Sequence, residues 1–529
     1  MIYQPPPHVT QNWQLNKPVA SGRRGMVVAQ ARAAAEAGVA ILDAGGNAID
    51  AAIGTALALA SIEPWNSGLG GIGFAMVHRA GQSRAEVVDF GPVAPAGTEP
   101  SRYRLTGRMK TDLFPWPEVE GDINVHGPLS VAIPSAVAGY EEMHRRWGRL
   151  PIAEILAPAI ALAQRGLPGD WFTTLKVANS AAVLRLYPES ARIYLRDGLP
   201  PVPPYQGAPG FIQQGNLRAT LEWLARAGLR DFYEGDIAAA IAADMRDAGG
   251  VLSGQDLRNC QARILPPMVV AWRGRTLQLT GGLTAAPSLA RVLEGMAAAP
   301  YGAAPTAAWY VALARAMKAA YAERLAGLGE AEPQAAESCT THLTVCDAEG
   351  AMVSMTTTLL SSMGSHMVLP RSGVLMNNGM MWFDPQPGTP NAIAPGNRPL
   401  TNMLPVILNQ GDPDEGGGPW IAAGASGGRR ILAAVFQLVT FVADFGMSLA
   451  AAAHHPRIDV SGAELVTADC RLAPDILAAL AEVGPLEIVE HSAFPINFAN
   501  PNLIARGADG IRTGVSDVAS PWSGAVAQN

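Results

Sequence analysis

The sequence has little cysteine and no apolar run long enough to cross a bilayer. Its 529 residues include four cysteines, at positions 260, 339, 346 and 470. That spacing fits neither a zinc site nor a dense disulfide framework, so we expect reduced thiols, no metal and no cofactor. The longest apolar run, Ala51 to Ile62, is too short to span a membrane.

Positive charge is scarce as well. The chain carries 38 lysines and arginines against 45 aspartates and glutamates, a formal net charge of −7. No basic surface for nucleic acid is therefore expected. Met1 to Lys17 contains no basic segment followed by an apolar one, so the cytoplasm is the expected compartment. We expect neither nucleic acid nor membrane as partner and leave a homo-oligomer open.

The apolar content of 49% is enough for a large core. Sequence patterns predict helices from Ala31 to Asp43 and from Asn47 through Ala60. They also predict strands, among them Phe74 to His78, Val87 to Phe90 and Gly373 to Asn378. The expected fold class is α/β (α+β layered) with several antiparallel hairpins.

One hairpin organises the rest of the chain. Apolar and polar residues alternate from Thr341 to Cys346, as in a strand, and a turn at Ala348-Glu349-Gly350 leads to a second strand over Ala351 to Thr357. Its first strand opens on hydroxyl residues after a polar linker, Glu330 to Glu337. Threonine there is either an ordinary strand residue or a nucleophile freed by cleavage of the chain.

Two nucleophiles are compatible with the sequence. Gly424 to Gly428 fits the G-x-S-x-G elbow of α/β-hydrolases, with Ser426 between a predicted strand and helix. The alternative is Thr340, which cleavage after Cys339 would provide with a free α-amine. That amine has a reference pKa of about 7.7–8.0 and can act as base while the hydroxyl attacks an amide. Backbone N–H groups of Gly427 and Gly428 would stabilise the oxyanion.

Several motifs spread over nearly the whole chain resemble those of the γ-glutamyltranspeptidases. They are Gly25-Met26-Val27, Gly45 to Ala52, Leu69-Gly70-Gly71, Pro134 to Gly139, Thr340-Thr341-His342 with Asp347 and Gly350, Ser354-Met355-Thr356, Asn377-Asn378, Arg398-Pro399-Leu400 and Ser426-Gly427-Gly428. The resemblance implies the αββα sandwich of the N-terminal-nucleophile hydrolases.

The same resemblance assigns roles around the cleavage site. Self-cleavage between Cys339 and Thr340 would give a large subunit, 1–339, and a small subunit, 340–529, intertwined in one globular unit. Thr340 would be the nucleophile and Thr358 its hydrogen-bonding partner. Gly427 and Gly428 would form the oxyanion hole.

Several family positions for the glutamyl group carry different residues here. The carboxylate-binding arginine is replaced by Gly91 and an asparagine by Leu360. The residues that hold the α-amino group align with Gly379 and Trp382. Paired serines become Thr401 and Asn402. Loss of charged partners at both ends of a glutamyl group disfavours its binding.

We therefore expect a threonine amidohydrolase acting on an amide of a small carboxylic acid. Its pocket is similar to that of cytosolic oxamate-amidohydrolase-like members. Arg398, Thr401 and Asn402 are the predicted carboxylate contacts, and the predicted substrate-binding set also includes Asn378, Trp382 and Leu360. His342 is predicted to be structural and His366 to lie in an exposed loop. The alternatives are a true γ-glutamyltransferase or glutathione hydrolase, an unprocessed non-catalytic homologue, and the Ser426 hydrolase.

Overall fold

The computed structural model describes residues 15–110, 116–326, 338–462 and 464–529. The predicted linker, Glu330 to Glu337, and the side chain of Cys339 lie outside the described part. No helix within it is long and apolar enough to cross a membrane.

The strands, in chain order, are β1 (Ala20–Gly22), β2 (Gly25–Ala29), β3 (Ile72–His78), β4 (Glu86–Phe90), β5 (Leu105–Met109), β6 (Pro117–Val119), β7 (Leu167–Pro168), β8 (Phe211–Ile212), β9 (Arg263–Leu265), β10 (Met268–Trp272), β11 (Arg275–Leu279), β12 (Ser338–Cys346), β13 (Met352–Ser361), β14 (Val406–Gln410), β15 (Pro419–Ser426), β16 (Ile458–Asp459), β17 (Val466–Asp469), β18 (Leu486–Val489), β19 (Asn500–Arg506), β20 (Arg512–Ser516) and β21 (Gly524–Gln528).

The helices are α1 (Arg32–Asp43), α2 (Ala48–Ile62), α3 (Ala136–Trp147), α4 (Ile152–Arg165), α5 (Trp171–Leu184), α6 (Pro188–Tyr194), α7 (Leu217–Ala227), α8 (Asp231–Glu234), α9 (Asp236–Asp247), α10 (Gly254–Arg258), α11 (Ala286–Gly295), α12 (Ala307–Ala326), α13 (Ile431–Ala443), α14 (Leu449–His454) and α15 (Pro474–Ala481).

Two seven-stranded sheets form the middle of the molecule. One has the order β1-β20-β19-β15-β14-β11-β10 and the other β21-β2-β12-β13-β3-β4-β9. All neighbouring strands within these two sheets are antiparallel. The predicted antiparallel hairpins are confirmed. A nucleophile elbow normally lies in a parallel sheet, whereas the sheet that contains Ser426 is antiparallel.

Alternation along each strand separates the layers. Val27 and Ala29 of β2 pack under the first helices, whereas Met26 and Val28 face the other sheet. Ile407 of β14 meets that second group from the opposite side. Helices α11 to α14 cover the outer face of the first sheet. The order of layers is therefore helix, sheet, sheet, helix, and both faces of the central strands are buried.

Helix α2 runs along the central hairpin and is fixed at its beginning. Asn47 caps it in a capping box with Asp50. The carboxylate of Asp347, in the hairpin turn, accepts from the backbone N–H of Ala48 at 3.0 Å and of Gly350 at 2.9 Å. The far end of α2 is followed by Glu63, which lies beside the beginning of β12.

The predicted strand over Gly373 to Asn378 is wrong. Only isolated bridges form there, through Leu375 and Met376. In place of regular strand pairing, the Asn377 side chain accepts from Ala132 N–H at 3.0 Å and donates to Gly70 O at 2.8 Å.

Candidate active site

A β-bulge sets Thr340 apart from the regular ladder at the beginning of β12. The pairing with β13 shifts between Cys339 and Thr341, and Thr340 has no partner in the described register. Thr340 is buried, and its Oγ1 lies 3.3 Å from Oγ1 of Thr358 on β13. The two threonines that the sequence singled out are therefore in contact.

The backbone after Thr358 is unusual. Its Oγ1 accepts a hydrogen bond of 2.8 Å from the backbone N–H of Leu360. Leu360 has a φ of +88°, a left-handed conformation that leucine rarely adopts. This local turn places the buried Leu360 side chain in an apolar cluster.

Gly427 and Gly428, the predicted oxyanion donors, both have positive φ values. Their φ values are +132° and +59°, and a Cβ on Gly427 would lie 2.8 Å from Cα of Ala499. Glycine is thus required at Gly427. Among hydrogen bonds between described residues, neither backbone N–H has an acceptor. Both glycines precede helix α13, whose N-terminal dipole favours negative charge.

A small cavity, lined mostly by polar residues, lies beside Thr340. Besides Thr340 and Gly427, it is lined by Glu63, Lys176 and Arg430. Burial raises the pKa of Glu63 to about 7, against the hydrogen bond from Thr341 and the attraction of Lys176, which lower it. The nucleophile candidate therefore faces a polar space with one carboxyl group and two cationic side chains.

An apolar cluster occupies the region of Leu360 and Trp382. Both residues pack with Phe74, Met381 and Met403, and all five side chains are buried. Leu360 and Trp382 both belong to the predicted substrate-binding set. These side chains fill the space with carbon and sulfur.

Gly91 also belongs to this region. A Cβ on Gly91 would lie 2.6 Å from Cζ of Phe74 and 3.1 Å from Oδ1 of Asp89. A larger side chain at this position would have to displace the Phe74 ring. The chain therefore has no room for an arginine at position 91 in this arrangement.

The predicted carboxylate contact Arg398 already has a carboxylate partner. Its Nη1 lies 3.3 Å from Oδ1 of Asp89, and Arg263 pairs with the other oxygen of the same carboxylate. Burial lowers the pKa of Arg398 although Asp89 raises it. Two arginines thus share one aspartate at the end of β4.

The other predicted contacts also hold the fold. Thr401 Oγ1 donates to Leu283 O at 3.1 Å, and Asn402 Oδ1 accepts from Arg324 at 3.1 Å. Asn378 Nδ2 donates to Val125 O at 2.7 Å and its Oδ1 accepts from Ser361 N–H at 3.1 Å. The segments that carry Thr401, Asn402 and Asn378 come together around Met403 and Trp382.

The histidines do not form a catalytic arrangement with Ser426. His342 lies on the opposite face from Thr341, bonds Thr356 Oγ1 at 2.9 Å and packs on Gly424, which agrees with its predicted structural role. Burial lowers the pKa of His342 to about 3. The prediction of an exposed His366 is wrong, because that side chain is buried.

Ser426 has a different partner. Gln30 Nε2 donates to its Oγ, and no hydrogen bond among the described residues joins Ser426 to a histidine. His491 is instead held by Asp517 and Arg457 in a buried cluster. Within the described residues, no group of histidine, cysteine and acidic side chains could hold a metal ion.

A family comparison decides the ancestry of this site. The gamma-glutamyltranspeptidase family model matches residues 34–338 and 328–526, two segments that overlap at 328–338. The chain belongs to the γ-glutamyltranspeptidase family. The resemblance inferred from the motifs is confirmed.

Individual relatives of this γ-glutamyltranspeptidase-family chain support the same conclusion. The acylase ACY 1 proenzyme of Pseudomonas sp. (strain V22) is 31% identical over 87% of this chain and 87% of its own length. The glutathione hydrolase proenzyme of Bacillus subtilis (strain 168) is 28% identical over 88% and 86%. The chain is thus an amide hydrolase or acyltransferase of this family.

A solved structure confirms the fold. The crystal structure of cephalosporin acylase from Bacillus halodurans superposes with a TM-score of 0.84 at 24% identity, covering all of both chains. The predicted αββα layering of the N-terminal-nucleophile hydrolases is therefore confirmed.

The sequence did not point to several charged residues that lie at the cavity or beside the predicted contacts Thr401 and Asn402. Lys176 comes from α5, and Arg324 and Arg429 come from α12 and from the turn before α13. Glu63 had a weak signal, since it is the charged residue that ends the longest apolar run. Arg324 and Arg429 had no such signal, because the hydrogen bond that joins their segments, from Tyr321 to Arg429 O, spans 108 positions of sequence.

Proposed function

We propose that this protein cleaves itself before Thr340 and then hydrolyses an amide of a small carboxylic acid, such as oxamate, with Thr340 as nucleophile. The main support is the contact of Thr340 Oγ1 with Thr358 Oγ1 at 3.3 Å, together with the N–H groups of Gly427 and Gly428, which have no acceptor among the described residues. The proenzyme names of the relatives agree with a precursor that gives subunits 1–339 and 340–529.

The proposed reaction has two steps. In the first, the Thr340 hydroxyl attacks the amide carbonyl and its α-amine takes the hydroxyl proton. The N–H groups of Gly427 and Gly428 stabilise the tetrahedral oxyanion. The C–N bond then breaks, and the α-amine returns the proton to the leaving nitrogen. In the second step water attacks the ester on Thr340, with the same amine as base, and releases the acid.

The filled pocket supports a small acid over a glutamyl group. Leu360, Trp382 and Met403 occupy the region with apolar side chains. Asp89 already pairs with Arg398, and Gly91 has no room for an arginine. A γ-glutamyl group would have to bury its ammonium and carboxylate there with few charged partners, which is unfavourable. Thr401, Asn402 and Asn378 remain the proposed polar boundary of the site.

The test is a substrate comparison with purified, self-cleaved protein. Ammonia release from oxamate and p-nitroaniline release from γ-glutamyl-p-nitroanilide are measured beside Thr340→Ala. We expect a kcat/KM for oxamate at least about tenfold above that for the γ-glutamyl anilide, and none for Thr340→Ala. A higher kcat/KM for the γ-glutamyl anilide would show a true γ-glutamyltransferase or glutathione hydrolase instead.

A further inference from the structure

Two arginines beside predicted site residues have no carboxylate partner in the described part of the chain. Arg324 lies in the last turn of α12, and Arg429 directly follows Gly428. Tyr321 connects them. It precedes Arg324 by one helical turn, and its hydroxyl donates to the backbone carbonyl of Arg429. Each arginine is partly buried and keeps part of its surface exposed.

All described hydrogen-bond acceptors of Arg324 are neutral. Its Nη1 donates to Thr284 O at 3.0 Å, and its Nη2 donates to Thr401 O at 2.7 Å and to Asn402 Oδ1 at 3.1 Å. Burial lowers the pKa of Arg324 to about 10, and the nearby Arg429 guanidinium acts in the same direction. This guanidinium is thus fixed in position without a counter-charge.

Arg429 is less satisfied still. Its Nη1 is enclosed and has no hydrogen-bond partner. Burial also lowers the pKa of Arg429, and no described carboxylate opposes that effect. An enclosed cationic donor without an acceptor is costly, and two such cations side by side are more so.

Other arginines nearby do have acids. Arg398 and Arg263 share Asp89. Arg430, which lines the cavity beside Thr340, is attracted by the buried Asp459. The pair Arg324 and Arg429 differs because it offers uncompensated positive charge.

We propose that Arg324 and Arg429 form an anion subsite that binds the carboxylate of the small acid, an inference that rests on the proposed function. Arg429 follows Gly428, so its side chain starts one residue from a proposed oxyanion donor. The turn over Gly428–Arg430 also lies against β12. Asn402 is a positioning residue that holds Arg324.

This arrangement accounts for recognition of a carboxylate without an arginine at Gly91. In a small acid the carboxylate is close to the reacting carbonyl, so its binding groups must stand close to the oxyanion donors. Guanidinium groups suit a carboxylate because they can donate two parallel N–H bonds. A neutral diamide of the same size would lack that charge-assisted attraction.

The proposal is tested by calorimetric titration with oxalate and with neutral oxamide at one ionic strength. The proteins are the wild type, Arg429→Gln, Arg429→Lys and the control Arg218→Gln, whose arginine pairs with Glu222 on the surface. We expect Arg429→Gln to weaken oxalate binding at least about tenfold, Arg429→Lys to weaken it less, and the control to bind like wild type. Oxamide should bind equally to all four.

Equal oxalate affinity in wild type and Arg429→Gln would overturn the subsite, as would a wild type that does not bind oxalate. If Arg429→Gln does not fold, Arg429→Lys and Arg324→Lys decide through the ratio of oxalate to oxamide affinity, which should fall in both. Binding needs no turnover. A wild type that binds oxalate through Arg429 but does not hydrolyse oxamate would therefore refute the proposed substrate and leave the subsite standing.

Discussion

The carboxyl group of Glu63 accepts a hydrogen bond of 2.9 Å from the Thr341 hydroxyl, one residue after the proposed nucleophile. Helix α2 brings Glu63 to this place, and Asp347 fixes the other end of the same helix at the hairpin turn. One helix thus spans the hairpin and connects its turn to the active-site end. The Glu63 carboxyl also lines the cavity beside Thr340.

Glu63→Gln should make stability less dependent on pH. Burial raises the pKa of Glu63 from 4.5 to about 7, so between these values the folded protein binds a proton that the unfolded chain has lost. The free energy of unfolding therefore falls as pH rises through that window. Relative to wild type, Glu63→Gln should gain up to about 3 kcal/mol above the window.

The measurement is the apparent Tm of both proteins at about pH 5 and about pH 8. Glu36→Gln is the control, since Glu36 is exposed and pairs only with Arg32. Lys176 and Arg430 face the same cavity. Parallel curves for wild type and Glu63→Gln would contradict the assignment of a neutral carboxyl to Glu63.

Gly424→Ala should destabilise the protein through His342. A Cβ at Gly424 would lie 2.2 Å from Cε1 of the His342 ring, which is itself fully buried. We expect a loss of about 1–3 kcal/mol in the free energy of unfolding. Gly418→Ala, with nothing within 4 Å of the added methyl group, is the matched control and should change it by less than about 0.5 kcal/mol. Similar unfolding curves for the two variants would show that His342 does not pack there.

Leu360→Asn should cost less stability than Leu359→Asn. Both leucines are buried neighbours on β13, so both variants lose apolar burial. Only Leu360 has a positive φ, +88°, which asparagine adopts more easily than leucine. We expect a difference of at least about 1 kcal/mol in favour of Leu360→Asn in chemical unfolding. The reverse order would argue against the left-handed backbone at Leu360.

The sequence was sufficient where a local pattern determines the structure. Alternating residues predicted the central hairpin, and the structure has it as Ser338–Cys346 and Met352–Ser361. Asn47 predicted the beginning of α2 because a capping side chain acts on its own neighbours. The αββα layering followed from the family motifs rather than from composition.

Contacts between distant segments could not be predicted. Arg398 meets Asp89 across 309 positions, so no local pattern indicated that the arginine already had a partner. The strand expected at Gly373 to Asn378 failed because Asn377 bonds the Gly70 and Ala132 backbone instead. His366 was expected to be exposed because it lies in a polar loop, but its side chain is buried.

The decisive measurement is the intact mass of purified wild type, Thr340→Ala and Ser426→Ala after equal incubation. With Thr340 as nucleophile, wild type and Ser426→Ala both separate into fragments that end at residue 339 and begin at residue 340, whereas Thr340→Ala stays one chain. An uncut wild type, or cleavage that persists in Thr340→Ala and stops in Ser426→Ala, would contradict the assignment of Thr340.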